Sequence, residues 1–159
     1  MPKEIPNSGG VFLPRKILAS DAWWKLNGTT MRVYLIFHMK CRKMSKREGQ
    51  ERRVNMRKFF TESIKNNGQL VFKYKEAEKY GLLKQTFTDA IDNLIKYGFL
   101  DIAEEGINNQ PNRYTISDRW EKYGTPGFEF KERKKRTERS VGKNERFPKN
   151  QKRHPKKAG

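Results

Sequence analysis

In LKQTFTDAIDNLIKYGFLDI (residues 83–102) the apolar positions between Lys84 and Lys96 are 87, 90, 91, 94 and 95. Spacings of three and four put Phe87, Ala90, Ile91, Leu94 and Ile95 on one face, so the pattern predicts an amphipathic helix over 84–97. Gln85, Asp89, Asp92 and Lys96 form the opposite line, with Thr88 and Asn93 beside it. Gly98 ends the helix, and the β-compatible residues 99–103 predict a strand. A polar turn with Gly106, Asn108, Asn109 and Pro111 follows, and 113–116 reads as the returning strand.

Upstream, residues 69–72 read as a short strand and 73–80 as a two-turn helix ended by Gly81. Asn66-Asn67-Gly68 is a turn signal. Residues 30–44 are apolar around more than half of their girth and predict a central core helix capped by Thr29 or Thr30. A shorter helix through Leu26 starts at Ser20-Asp21 and stops at Asn27-Gly28. Phe59, Phe60 and Ile64 read as a helical return onto the core. Trp23, Trp24, Tyr34, Phe37, Phe59, Phe60, Phe87, Tyr97 and Phe99 are expected mainly in the core, and Trp120 as its cap.

Charge divides the chain further. The 159 residues carry a formal net charge of +18, and hydrophobic and charged residues each make up 34%. That apolar share is low for a chain that packs throughout. Residues 1–68 hold 15 Lys/Arg against 5 Asp/Glu, and residues 131–159 hold 13 against 3. Residues 69–118, with 6 against 8, are slightly acidic. So basic a chain points to a polyanionic partner. Residues 1–10 read as a flexible leader and the C-terminal stretch as a basic, largely disordered tail, too poor in apolar residues to offset ordering entropy. No apolar run approaches the roughly 18–20 residues that span a bilayer. One cysteine, Cys41, excludes an internal disulfide and a cysteine-rich metal site. A reduced, cytoplasmic setting is expected, with no membrane partner.

The segment KYKEAEKYGLLKQTFTDAIDNLIKYGFLDI, closed by NRYTIS, resembles the winged helix-turn-helix family. Within it the likeness is to replication-initiator and regulator proteins of prokaryotic plasmids, phages and other mobile elements. It covers about residues 69–118 and takes in the helix at 30–44. The implied fold is α+β, mostly α: a three-helix bundle with a β-hairpin wing. The winged-helix domain would span 11–120, with a basic insertion at about 42–58, the helix-turn-helix at 73–97, the wing at 99–116 and the tail at 121–159.

The resemblance also implies a site. The second helix of the turn motif would enter the major groove of duplex DNA through Lys84, Gln85, Thr86 and Thr88. Lys73, Tyr74 and Lys75 would hold phosphates, and Asn108, Asn109, Gln110, Asn112 and Arg113 would form the wing. An acidic module leaves affinity to basic residues outside it. Arg42, Lys43, Lys46, Arg47, Arg52 and Arg53 are candidates, as are Arg133, Lys134, Lys135, Arg136, Lys152 and Arg153 in the tail. Such a protein would associate with the nucleoid and act in replication initiation or transcription.

Asp89 and Asp92 stand on the reading line and demand an account. Asp92 can pair with Lys96 at i, i+4. Asp89 can accept from a cytosine amine, orient Gln85 or Lys84, or mark a face that meets protein or a second copy of the chain. In that last case the basic arms would bind DNA or RNA non-specifically. Enzyme chemistry and a cofactor are not expected: no glycine-rich phosphate loop, paired histidines or acidic metal cluster is visible. His38 and Cys41 are an i, i+3 pair with no second pair to complete a metal site, so His38 reads as a core residue.

Overall fold

A computed structural model describes residues 10–44, 61–107 and 110–133. The central helix begins at Asn27, whose Oδ1 accepts from the Thr30 N–H at 2.8 Å. This corrects the expected Thr29 or Thr30 cap: an Asx side chain just before the helix reaches the third N–H of the first turn. The helix itself, α3, runs Gly28–Lys40, preceded by α1 (Arg15–Leu18) and α2 (Asp21–Trp24). Ser20 caps α2 as expected, accepting from Trp23 N–H at 3.2 Å.

α3 stops four residues short of the predicted end. Cys41 turns extended, and residues 42–44 pair back on 63–65 through Met44 N–H to Ser63 O (2.9 Å) and Lys65 N–H to Arg42 O (2.7 Å). Asn66 closes the helix end, donating to Lys40 O at 3.0 Å and accepting from Arg42 N–H at 2.7 Å. One side chain thus satisfies a terminal carbonyl that more helix would otherwise have satisfied. A 3-10 turn, Thr61–Ser63, precedes this pairing.

Next come α4 (Tyr74–Lys79), α5 (Lys84–Lys96) and an antiparallel hairpin of β1 (Leu100–Glu104) and β2 (Arg113–Ile116). The fold is α+β. The register pairs Leu100 with Ile116 and Ile102 with Tyr114, with an irregularity between Ile102 and Glu104. The strand expected at 69–72 reduces to a single bridge, Leu70 to Tyr114. Asn67 extends it by side chain, accepting from Ile116 N–H at 2.7 Å and donating to Ile116 O at 3.1 Å.

Phe87, Ala90, Ile91, Leu94 and Ile95 are all buried, and α5 packs them against α3. Each large side chain so buried contributes about 1.5–3 kcal/mol. Phe99 joins the layers: Trp23 and Tyr34 meet it edge-on, and Trp120 stacks parallel at 5.9 Å. Trp24, by contrast, is 73% exposed. Its neighbour Trp23 took the inward side of a helix only four residues long.

The chain does not loosen at residue 121. A 3-10 turn, Arg119–Lys122, docks on the end of α5, and Tyr123 meets Tyr97 and Phe128 edge-on. Arg119 organises this region. It grips Asp101 (2.6 Å at its shortest) and donates to the carbonyls of Ile95 (2.8 Å) and Glu129 (2.6 Å). The leader up to residue 9, the insertion from 45 to 60 and the tail from 134 lie outside the described residues. Among those described, no helix is long and apolar enough to cross a membrane.

Candidate nucleic-acid interface

The turn between α4 and α5 is set by Gly81, at φ +71°, and by Leu82, which is buried. Leu82 N–H donates to Ala77 O at 3.1 Å, closing the end of α4. Leu83 then points outward, 75% exposed. As the residue before α5 it offers no side-chain cap, so the first-turn N–H groups keep their positive partial charge without a side-chain acceptor.

Lys84, Gln85 and Thr86 are exposed on that first turn. Tyr74, at the start of α4, lies beside them. Its ring packs edge-on to Phe87 at 5.7 Å, and Lys84 Nζ lies 5.3 Å from its centroid. Thr88 is half-buried; its hydroxyl donates back to Lys84 O at 2.8 Å and lies 3.5 Å from Tyr74 Oη. Lys73 and Lys75 flank Tyr74, both exposed. Among the described residues no carboxylate pairs with Lys73, Lys75 or Lys84, whereas Lys40 takes Glu76 at 2.5 Å. The geometry joins Tyr74 to Lys84 across the turn, and Lys73, Lys75, Gln85 and Thr86, their neighbours in sequence, are exposed.

Both aspartates have partners. Gln85 Nε2–H donates to Asp89 Oδ1 at 2.7 Å. Asp92 does not pair with Lys96: Arg133 takes it, through Nε at 2.7 Å and Nη2 at 3.0 Å. A guanidinium fork matches a carboxylate bidentately, and this one is largely covered, so it prevails over an exposed i, i+4 lysine. The same pair removes Arg133 from the tail residues expected to meet phosphate.

The hairpin end is compensated as well. Asn112 Oδ1 accepts from Gly106 N–H at 2.8 Å and so closes the loop. Arg113 pairs with Glu104 at 3.1 Å. Gln110 is exposed; Asn108 and Asn109 lie outside the described residues. Gly106 allows Gln110 O to approach within 1.9 Å of where a Cβ would stand. Near α3, Lys43 packs its amine 4.2 Å from the Phe12 ring centroid, and burial lowers its pKa. Arg42 is exposed, while Lys46, Arg47, Arg52, Arg53, Lys134, Lys135, Arg136, Lys152 and Arg153 lie outside the described residues.

His38 is buried against the Tyr34 ring, and burial pulls its pKa down to about 3. Cys41 Sγ donates to Phe37 O at 3.3 Å, and burial pushes the thiol up to about 12. Both are core groups, and the described residues hold no set of three His, Cys, Asp or Glu placed for a metal. Leu83, Arg119 and the Arg133–Asp92 pair escaped the sequence reading. Leu83 had a signal, as an apolar residue doubled at a turn; the two arginines had none, because their partners are distant in sequence.

No protein-family model, curated protein or solved structure matches this chain.

Proposed function

We propose that this chain is a duplex-DNA-binding protein of winged helix-turn-helix type that reads sequence through the first turn of α5. The hairpin is its wing, and basic segments outside the module supply phosphate affinity. The observation that carries this reading is the constrained Gln85 amide on an uncapped helix start, flanked by Lys73, Lys75 and Lys84. Because a carboxylate accepts only, the Asp89 contact requires that Nε2, not Oε1, face Asp89. The second Nε2–H and Oε1 remain for a base edge. That donor–acceptor pair matches N7 and the N6 amine of adenine in the major groove.

Affinity comes from elsewhere. Residues 69–118 carry a net charge of −2, and each neutralised phosphate needs a Lys or Arg. Residues 1–68 and 131–159 each carry +10. Replication initiation or transcriptional regulation of a plasmid- or phage-type element is the role the sequence resemblance favours. Exposed Leu83 and the module's own acidity favour a second reading, in which this face binds protein and the basic segments hold nucleic acid non-specifically.

Selection of duplexes from a random library separates the two. Enrichment of one site, lost when Gln85 and Thr86 become Ala, is the expected result. A bound pool with no enriched sequence, alongside capture of a protein partner through Leu83, overturns sequence reading.

A further inference from the structure

Tyr74 opens α4, yet its side chain belongs to the start of α5. Its ring lies edge-on to buried Phe87 at 5.7 Å, and Lys84 Nζ stands 5.3 Å from the ring centroid. An ammonium within about 6 Å of an aromatic centroid is attracted by the ring's quadrupole. Phe87 thus seats the ring, and the ring holds the cation. Lys84 itself is exposed. The ring covers one side of its ammonium, and an ammonium has three donors to share.

The tyrosine hydroxyl is spent within the protein. A hydroxyl has one proton to give. Thr88 gives its own to Lys84 O at 2.8 Å, so in the longer 3.5 Å contact between Thr88 Oγ1 and Tyr74 Oη the tyrosine is the donor. Arg133 engages the same tyrosine: hydrogen bonds, to Asp92 first and also to Tyr74, hold the guanidinium above its ordinary pKa range. Arginine only donates, so there the Tyr74 oxygen accepts. A phosphate oxygen only accepts, and Tyr74 has no second proton for one.

We infer that Tyr74 serves the duplex through Lys84 and not through its own hydroxyl: the ring, seated on Phe87, holds the Lys84 ammonium ready for a phosphate. The inference rests on the proposed DNA reading. It replaces the expectation that Tyr74 grips phosphate itself, and it makes Lys84 a phosphate contact beside the base reader Gln85. Lysine is a point charge, which suits a phosphate better than a base edge that asks for a fixed fork. A lysine already held against a ring also loses less rotamer freedom on binding than one that moves freely in water.

Ring and hydroxyl are separated by two substitutions in the full-length chain, measured on the duplex enriched by selection. Tyr74→Phe keeps the ring and should bind within about twofold of wild type. Tyr74→Leu loses the ring and should bind about two- to tenfold more weakly, the cost of ordering one long side chain, with the salt slope unchanged because no charge is lost. Lys84→Gln should weaken binding to all duplexes alike and lower the salt slope by about 1. In that background Tyr74→Leu should have no further effect. The contact itself is read without DNA: the ring current should shift the Lys84 side-chain protons upfield in wild type and Tyr74→Phe, and the shift should vanish in Tyr74→Leu.

Phenylalanine binding as weakly as leucine makes the hydroxyl the contact and overturns the inference. So does a Tyr74→Leu loss that persists undiminished beside Lys84→Gln, or a change of preference at a single base pair in Lys84→Gln. A chain that shows the ring-current shift but binds no duplex overturns the proposed function, and the role toward phosphate falls with it.

Discussion

Gln85 and Asp89 stand one turn apart on the exposed line of α5, joined by a 2.7 Å hydrogen bond from amide to carboxylate. On the DNA-binding function proposed above, the bond makes an acidic residue of the reading face an orienting group for Gln85. Replacing Asp89 by Asn removes a negative charge and lets the Gln85 amide flip. Duplex affinity should rise overall, while discrimination at the base read by Gln85 falls by up to about 1–3 kcal/mol, the worth of a bidentate contact. Competition between the selected site and its single-base variants measures both. Tighter binding with discrimination intact would show that Asp89 does not position the reader.

Gly98 carries a second prediction. It sits at φ +84°, and a Cβ there would lie 2.7 Å from Trp120 N and 2.9 Å from Arg119 C. These are backbone atoms that cannot swing away. Gly98→Ala should cost about 2–4 kcal/mol, through left-handed strain plus displacement of the Trp120 turn. Gly124, at φ +79° with nothing within 4 Å of a built Cβ, is the control. Its alanine variant should lose only about 1–2 kcal/mol. Urea midpoints of the two variants test the difference.

Arg119 is 13% exposed at its side chain and Asp101 19%. Arg119→Lys keeps the charge but loses the fork that reaches Asp101 and three backbone carbonyls together. A loss of about 2–4 kcal/mol is expected, since the carboxylate and carbonyls are left under-satisfied. Chemical denaturation gives the number. A change below about 0.5 kcal/mol would mean that Arg119 is a surface pair of little weight.

His38 should make stability pH-dependent. Burial, with a smaller contribution from Lys43, holds its pKa at about 3 against an ordinary 6.5. The unfolded chain therefore takes up a proton first as pH falls. The stability from keeping His38 neutral is complete above about pH 6.5 and is lost progressively toward pH 3. By about pH 5 the loss should approach 2 kcal/mol. Asp118, raised mainly by burial, acts in the opposite direction, so the difference between wild type and His38→Leu isolates the histidine. Parallel stability–pH curves for the two would refute the assignment.

What could be read from residue order was what local geometry decides. The 3.6-residue repeat placed all five apolar residues of α5 in the core. Gly81 and Gly98 marked the two helix ends, because a left-handed residue after a helix is a local steric requirement met best by glycine. The returning strand, Arg113–Ile116, came out at its predicted bounds.

Competition between near-equal local options was beyond reach. Asn27, Thr29 and Thr30 can all cap a helix; the path of the chain from α2 chose Asn27. Residues 41–44 could have continued α3, but Asn66 satisfied its last carbonyl from 26 residues away. Asp92 is the sharpest case. Sequence supplied an acceptable partner one turn on, Lys96, worth a few tenths of a kcal/mol. Folding brought a better one from 41 residues away, Arg133, with two donors in register and much of its side chain covered. The sequence by itself therefore determined which faces are apolar, where helices stop and where charge accumulates, because these depend on neighbours a few bonds apart. Tertiary structure alone decided who pairs with whom, because an ion pair's strength depends on geometry and burial that exist only once distant segments have packed.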